Sequence, residues 1–298
     1  MLRNPFVEFR LHIDLIQHMK NIENGFNITY KFLEENGLTL DKNLIEKTFY
    51  DLFNDETQYR FNRRNHKIAY LISRFIQVDY LFSENKMTEK MLEIHNQWFN
   101  YLFERINRQR ENFSKDSIIS FHSDFPMGDL DIFKNISVRA IHNYSRGELL
   151  VHMKNNQIHP LNKLLMFEDY FRFDFAYFLI RCEHFGKEIG KLEGSDYGKK
   201  LWDIFQINNN NDRTPPDIIK KELKRLIHTR NAISHPETAG ISYDNGIVKI
   251  MNYDERKKEY TYVEELNLIE LYEIYYNLTL LDRGFVSAAL AVDIFKED

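Results

Sequence analysis

Arg230, Asn231 and His235 are spaced as R-N-x-x-x-H, and the residues around them constrain how their side chains can be used. Thr214, Pro215, Pro216 and Asp217 form a strong helix start. From there a helical pattern puts Ile219, Leu223, Leu226, Ile227 and Ile233 on one stripe, at roughly 100° per residue. Arg230 falls inside that stripe, within about 20° of its centre. A guanidinium directed at a core or an interface must be paired or employed, because an unpaired buried charge is costly. The alternative is an arginine that snorkels or binds a buried carboxylate. His235 immediately precedes Pro236, which disfavours helical backbone there and puts the imidazole at the helix end. A histidine so placed is either a surface or cap residue or a proton carrier, since its unperturbed pKa lies near neutrality. An arginine beside it offers a planar fork to a phosphate as negative charge builds.

On these residues the C-terminal half resembles the HEPN superfamily, whose R-X4-6-H motif sits at the end of one bundle helix. The resemblance spans residues 145 to 298: an aromatic-rich helix, a second helix ending in the motif, a small hairpin insertion and closing helices. It is carried by asparagine directly after the arginine, proline directly after the histidine, the capped helix before them and the C-terminal position. It implies a metal-independent endoribonuclease in which His235 takes a proton from the ribose 2′-hydroxyl or gives one to the departing 5′-oxygen, while Arg230 binds the phosphate. It also implies that Asn231 shapes the helix end and contacts substrate, that single-stranded or loop RNA is the partner, and that two motifs face each other across a homodimer. No cofactor is implied. Where toxins of one HEPN branch carry tyrosine two residues past the histidine, this chain has Glu237, so neutralisation through that tyrosine is not expected. Arg60 and His66 repeat the motif's spacing, but in a charged run without a proline stop, and read as basic surface.

An acidic residue often accompanies the motif in such domains, and Asp174 is the candidate. On the aromatic helix it shares a face with Phe167, Phe171, Phe178 and Phe185, where a carboxylate is costly unless paired, with Arg181 of the same helix or with Arg230 as its partner. Glu183 reads as solvent-facing. Two basic clusters with aromatic neighbours are candidates for RNA contact: Arg60, Arg63, Arg64 and Lys67, and Arg105, Arg108 and Arg110. The alternative for both is a solvated helix face. Asp129 and Asp131 form a D-x-D but lack the upstream turn of a nucleotidyltransferase, Cys182 sits among aromatics as a small hydrophobe, and the 11 histidines show no zinc motif.

The elements that must position these residues are mainly helical. Only 11 glycines and 6 prolines punctuate 298 residues, hydrophobic residues make up 43%, and apolar positions recur at helical spacing over long stretches. We expect two domains: a helical bundle over 1–140 of sensing, regulatory or RNA-contacting role, and a HEPN-like bundle over 141–298. In the first, helices are predicted from Asn4 and Pro5, up to Gly37, and over 42–54, 56–82 and 87–112, with a short strand at Ser117 to Phe121 and a loop through Asp124, Pro126 and Gly128. In the second, Ser145 and Glu148 begin one helix, and the aromatic helix runs from His159 and Pro160 to near Gly194. After Pro236 the pattern turns to period two, with Asp244, Asn245 and Gly246 as a hairpin turn and a strand at Tyr260 to Val263. Glu264 to Asp298 returns to helix, with a break expected at Gly284. One cysteine, no apolar run long enough to span a bilayer and no signal-like start point to a cytoplasmic protein. A net charge of -5 means that any RNA contact has to come from basic residues gathered locally. Two rivals to the nuclease are a HEPN-like module that binds RNA, a nucleotide or a regulatory protein without cutting, and a helical scaffold in which Arg230 merely pairs with Asp174.

Overall fold

In a computed structural model of the chain, the residues described are 19–54, 63–83, 88–114, 117–118, 155–189, 197–207, 214–234, 239–254 and 257–296. Among them the architecture is mainly α, with one small antiparallel sheet. Four helices come first: α1 (Met19–Glu35), α2 (Lys42–Asn54), α3 (Arg64–Ser83) and α4 (Glu89–Asn107). Then follow α5 (Pro160–Glu188), α6 (Tyr197–Phe205), α7 (Asp217–Ser234), the strands β1 (Ala239–Asp244), β2 (Ile247–Asp254) and β3 (Glu259–Leu266), and α8 (Leu268–Phe295). The chain divides into two compact units, Met1–His122 with Arg283–Asp298, and Ser123–Asp282. This differs from a single cut near residue 140: α8 supplies Leu268–Asp282 to the second unit, and its remainder closes the first.

Local chemistry accounts for the element ends. At Gly37, φ is +91°, a conformation glycine adopts without penalty. There Leu38 N–H donates to Leu33 O and Gly37 N–H to Glu34 O, each at 3.0 Å, the double bond pattern that closes a helix on a left-handed residue. Thr88 caps α4 by accepting from Met91 N, and His159 caps α5 by accepting from Leu161 N through Nδ1. The strands pair in the order β1-β2-β3. Asp244 sits opposite Ile247, so Asn245 and Gly246 alone form the turn, and their φ values of 48° and 88° fit the mirror-image turn that matches strand twist.

Several boundaries differ from the sequence expectations. The aromatic helix ends at Glu188 rather than near Gly194, and α4 ends at Asn107 rather than near 112, followed by a 3-10 turn at Arg110–Asn112. Ser117 and Ile118 are helical rather than extended, Ile118 N–H donating to Ser114 O at 3.2 Å. Glu264–Leu266 belong to β3. Gly284 does not break α8, which is continuous over 28 residues. A Cβ at Gly284 would lie 3.0 Å from Trp98 Cδ1, so this glycine serves the close approach of α8 to α4. The helix starts expected at Asn4 and at Ser145, and the loop through Asp124 and Gly128, lie outside the described residues.

The core of the first unit is built from Phe26, Phe49, Ile72, Trp98, Leu102 and Phe295's partner Phe103. That of the second joins Phe167, Phe171, Phe178 and Phe185 of α5 with Leu201 of α6, Leu223 and Leu226 of α7, and Leu271 and Leu278 of α8. The helix α8 is buried almost all round, yet it carries Asp282, Arg283 and Asp293, and no described helix is long and apolar enough to cross a membrane.

Candidate functional site

The motif helix α7 packs against α5, α6 and the first two strands. Its predicted stripe is in place: Ile219, Leu223, Leu226, Ile227 and Ile233 are all buried. Arg230, one turn before the helix end at Ser234, is half-buried. Its Nη1 donates to Oδ1 of Asn231 at 3.2 Å. The guanidinium and the amide therefore sit side by side at the helix terminus. His235, Pro236 and Glu237 lie outside the described residues.

Asp174 lies on the buried face of α5 as expected, 5% exposed, flanked along the helix by Phe167, Phe171, Phe178 and Phe185, each 0% exposed. A partner that the sequence did not indicate is Tyr275 of α8, whose hydroxyl donates to Asp174 Oδ2 at 2.6 Å. Two turns further along α5, the wholly buried Arg181 donates from Nε to Asp282 Oδ1 at 2.9 Å. Both pairs are 101 residues apart in the chain, which makes α5 and α8 parallel neighbours joined by two polar rungs. Each rung satisfies a group that would be costly alone in an aromatic core. No local pattern links positions so far apart, so the pairing had no signal in the sequence. Cys182, next to Arg181, is wholly buried, and burial pushes its thiol well above the ordinary range, with Asp282 adding to the effect, as suits a packing residue. Glu183 is half-exposed.

The opposite side of α7 meets the sheet through a second polar cluster that sequence reasoning missed. Glu264 on β3 receives a two-point contact from Arg225, Nε to Oε2 at 3.1 Å and Nη2 to Oε1 at 2.8 Å, and its Oε2 also accepts from the Tyr262 hydroxyl. Burial and then that carboxylate raise the Tyr262 phenol above its usual range. The ring of His228 stacks on Tyr262 at 4.1 Å between centroids, and its backbone oxygen accepts from Asn252 Nδ2 at 3.0 Å. Burial lowers the His228 imidazole below its ordinary pKa, with Lys224 acting in the same direction, which favours its neutral form. The cluster fixes α7 on the sheet and so fixes the helix end that carries Arg230 and Asn231.

The basic clusters of the first unit are only partly available as surface. Lys67 is 1% exposed, and its Nζ lies 2.9 Å from Asp293 Oδ2, which is equally buried. It is a core ion pair and not a phosphate contact, which corrects the assignment of Lys67 to an RNA surface. Helical position explains this, because Lys67 continues the buried run Ile68 to Ser73 of α3. Arg63 is exposed, Arg64 half-buried, and Arg60 lies outside the described residues. Arg105 lies over the Tyr101 ring at 5.8 Å, and Arg108 pairs with Glu104 at 3.0 Å on an exposed face. Among the described residues no group of three or more His, Cys, Asp or Glu side chains could hold a metal ion. Asp129 and Asp131 lie outside them.

No protein-family profile, curated protein or solved structure matches the chain.

Proposed function

We propose that the chain is a metal-independent endoribonuclease of the HEPN type, cytoplasmic, cutting single-stranded or looped RNA in antiviral defence or as a toxin. The reading rests on the resemblance of Arg230-Asn231-x-x-x-His235-Pro236 to that superfamily's motif. The observation that supports it further is the 3.2 Å contact between the half-buried Arg230 and Asn231 at the end of α7. In this reading His235 removes the proton of the 2′-hydroxyl, which attacks the adjacent phosphorus. The 5′-oxygen leaves with a proton from a second imidazole, and Arg230 stabilises the charge on the phosphate oxygens. One chain offers one motif histidine, so a homodimer with two facing motifs supplies both proton transfers. Asp174 supports the site through the packing of α5 on α7.

His235→Ala and Arg230→Ala are each expected to slow cleavage of labelled RNA by about 100-fold or more. Retained RNA binding with no cleavage by the unaltered protein would replace the nuclease with a binding module. Unaltered cleavage in both variants would move the activity elsewhere in the chain.

A further inference from the structure

We propose that a stripe of α7 running from Lys221 through Lys224 and His228 to Asn231 is the track that holds single-stranded RNA as it enters the Arg230 site. The RNA occupant rests on the ribonuclease reading. Helical geometry defines the track: at about 100° per residue these four side chains fall within roughly 80° of one another, on the side of α7 away from the buried Leu223 and Leu226. Lys221 is exposed and the other three are half-exposed. From Lys221 to Asn231 the helix rises about 15 Å, room for a few nucleotides. At the end of the stripe Asn231 Oδ1 accepts from Arg230 Nη1 at 3.2 Å, so the track runs into the motif. Aromatic rings accompany it. The half-exposed Trp202 of α6 lies under Lys224, with Nζ 5.4 Å from the ring centroid, and Tyr262 of β3 stacks on His228 at 4.1 Å. Cations interleaved with rings suit a single strand, whose phosphates meet charge while its bases stack.

Charge complementarity favours a polyanion here. Helix α7 carries five Lys and Arg side chains against two carboxylates, a net charge of +3 within a chain of net charge -5. The carboxylates around the stripe are largely withdrawn from it. Asp217 lies 3.3 Å from Lys220, Glu222 is 4% exposed, and Glu264 takes the two-point contact from Arg225. Among the described residues no carboxylate forms an ion pair with Lys221 or Lys224, and the exposed Asp203 beside Trp202 pairs with neither. Two unpaired ammonium groups thus stand on one face against one unpaired carboxylate, on the helix that carries Arg230. A net acidic chain that leaves two lysines unneutralised at this place offers them to an anionic partner.

Binding of labelled 2′-O-methyl RNA, which cannot undergo 2′-hydroxyl attack, to the full chain over a salt series tests the track apart from catalysis. Lys221→Ala and Lys224→Ala should each weaken binding by about fivefold at about 0.1 M salt and flatten the slope of log affinity against log salt by about 0.7, the loss of one phosphate contact to a single strand. Trp202→Ala should weaken binding by about fivefold or more at an unchanged slope, because stacking carries no charge, and Trp202→Phe should restore most of it. Lysine variants that bind like the parent would overturn the track, as would a parent that does not bind. Displacement of the RNA by polyglutamate as readily as by unlabelled RNA would overturn it too, and assign the face to acidic proteins. Cleavage of ordinary RNA by the same samples separates this proposal from the nuclease reading. Binding through the lysines without cleavage would keep the track and remove the nuclease, whereas cleavage by a parent whose lysine variants bind unchanged would do the reverse.

Discussion

Asp174 sits under the Tyr275 hydroxyl on the buried face of its helix, whereas Glu183 is half-exposed on the same helix. Asp174→Asn is therefore expected to reduce RNA cleavage more than Glu183→Gln, and equal effects would remove Asp174 from the support of the site. Lys67 and Asp293 invite a test of stability rather than of activity. Each is 1% exposed, so Asp293→Asn leaves an ammonium without its counter-charge in the core, which costs about 3–5 kcal/mol. Replacing both, Lys67→Met with Asp293→Leu, should restore most of that loss in urea denaturation. A single variant as stable as the parent would mean that water reaches the pair. The residue scale also shows what side-chain type can and cannot reveal. The place of Asp174 on an aromatic face was legible because a carboxylate there violates the apolar pattern. Its partner was not, because Tyr275 is one of several aromatics on a helix buried almost all round. Lys67 was misread because three neighbouring arginines made a basic run more visible than the apolar residues that follow it.

At the scale of elements, helix packing depends on close approach at a few positions. Gly25 in α1 lies against Ile76 of α3, and a Cβ there would overlap Ile76 Cγ1. Helix propensity alone favours alanine over glycine by about 1 kcal/mol. Gly25→Ala should nonetheless destabilise the protein by about 1–3 kcal/mol, since the two helices must separate, and thermal unfolding decides the sign. A raised melting temperature would mean that Ile76 yields freely. Gly284 follows the same logic, which explains why the expected break in α8 is absent: its missing side chain makes room for Trp98, and tertiary packing overrides a local breaker. Elements closed by local chemistry were the legible ones. Thr88, Gly37, Pro216 and the Asn245-Gly246 turn each carry a backbone signal that needs no distant partner. The polar rungs from α5 to α8 and the Arg225-Glu264-Tyr262 cluster join residues far apart in the chain, and periodicity holds no record of them. The register shift between Asn252 and Tyr253 of β2, which sets Tyr260 of β3 opposite Tyr253, was equally hidden, because alternation in the sequence assumes an unbroken register.

At the scale of the whole molecule, the final helix belongs to both compact units, and the first unit contains a charge-sensitive point near it. His95 on α4 is 1% exposed, and burial, helped by the charge of Arg283, lowers its pKa to about 4 against the upward pull of its contact with Asn96. An unfolded histidine titrates near 6.5, so between about pH 6.5 and 4 the unfolded chain binds a proton that the folded chain refuses. The contribution of His95 is thus fully present above pH 6.5 and declines as pH falls to 4, by up to about 3 kcal/mol. His95→Leu should flatten that part of the stability profile, and an unchanged slope would place the acid sensitivity in other groups. With a net charge of -5 and Lys67 withdrawn into the core, the proposed ribonuclease reading requires RNA to be held by a few local cations, Arg230 among them. The most direct test of the nuclease account is cleavage of a mixed single-stranded RNA pool by the purified full chain in excess EDTA, with analysis of the product ends. Attack by the 2′-hydroxyl predicts that cleavage persists, that upstream products end in a 2′,3′-cyclic phosphate and that 2′-deoxyribose at the scissile position blocks it. Products ending in a 3′-hydroxyl, or activity abolished by EDTA, would contradict it.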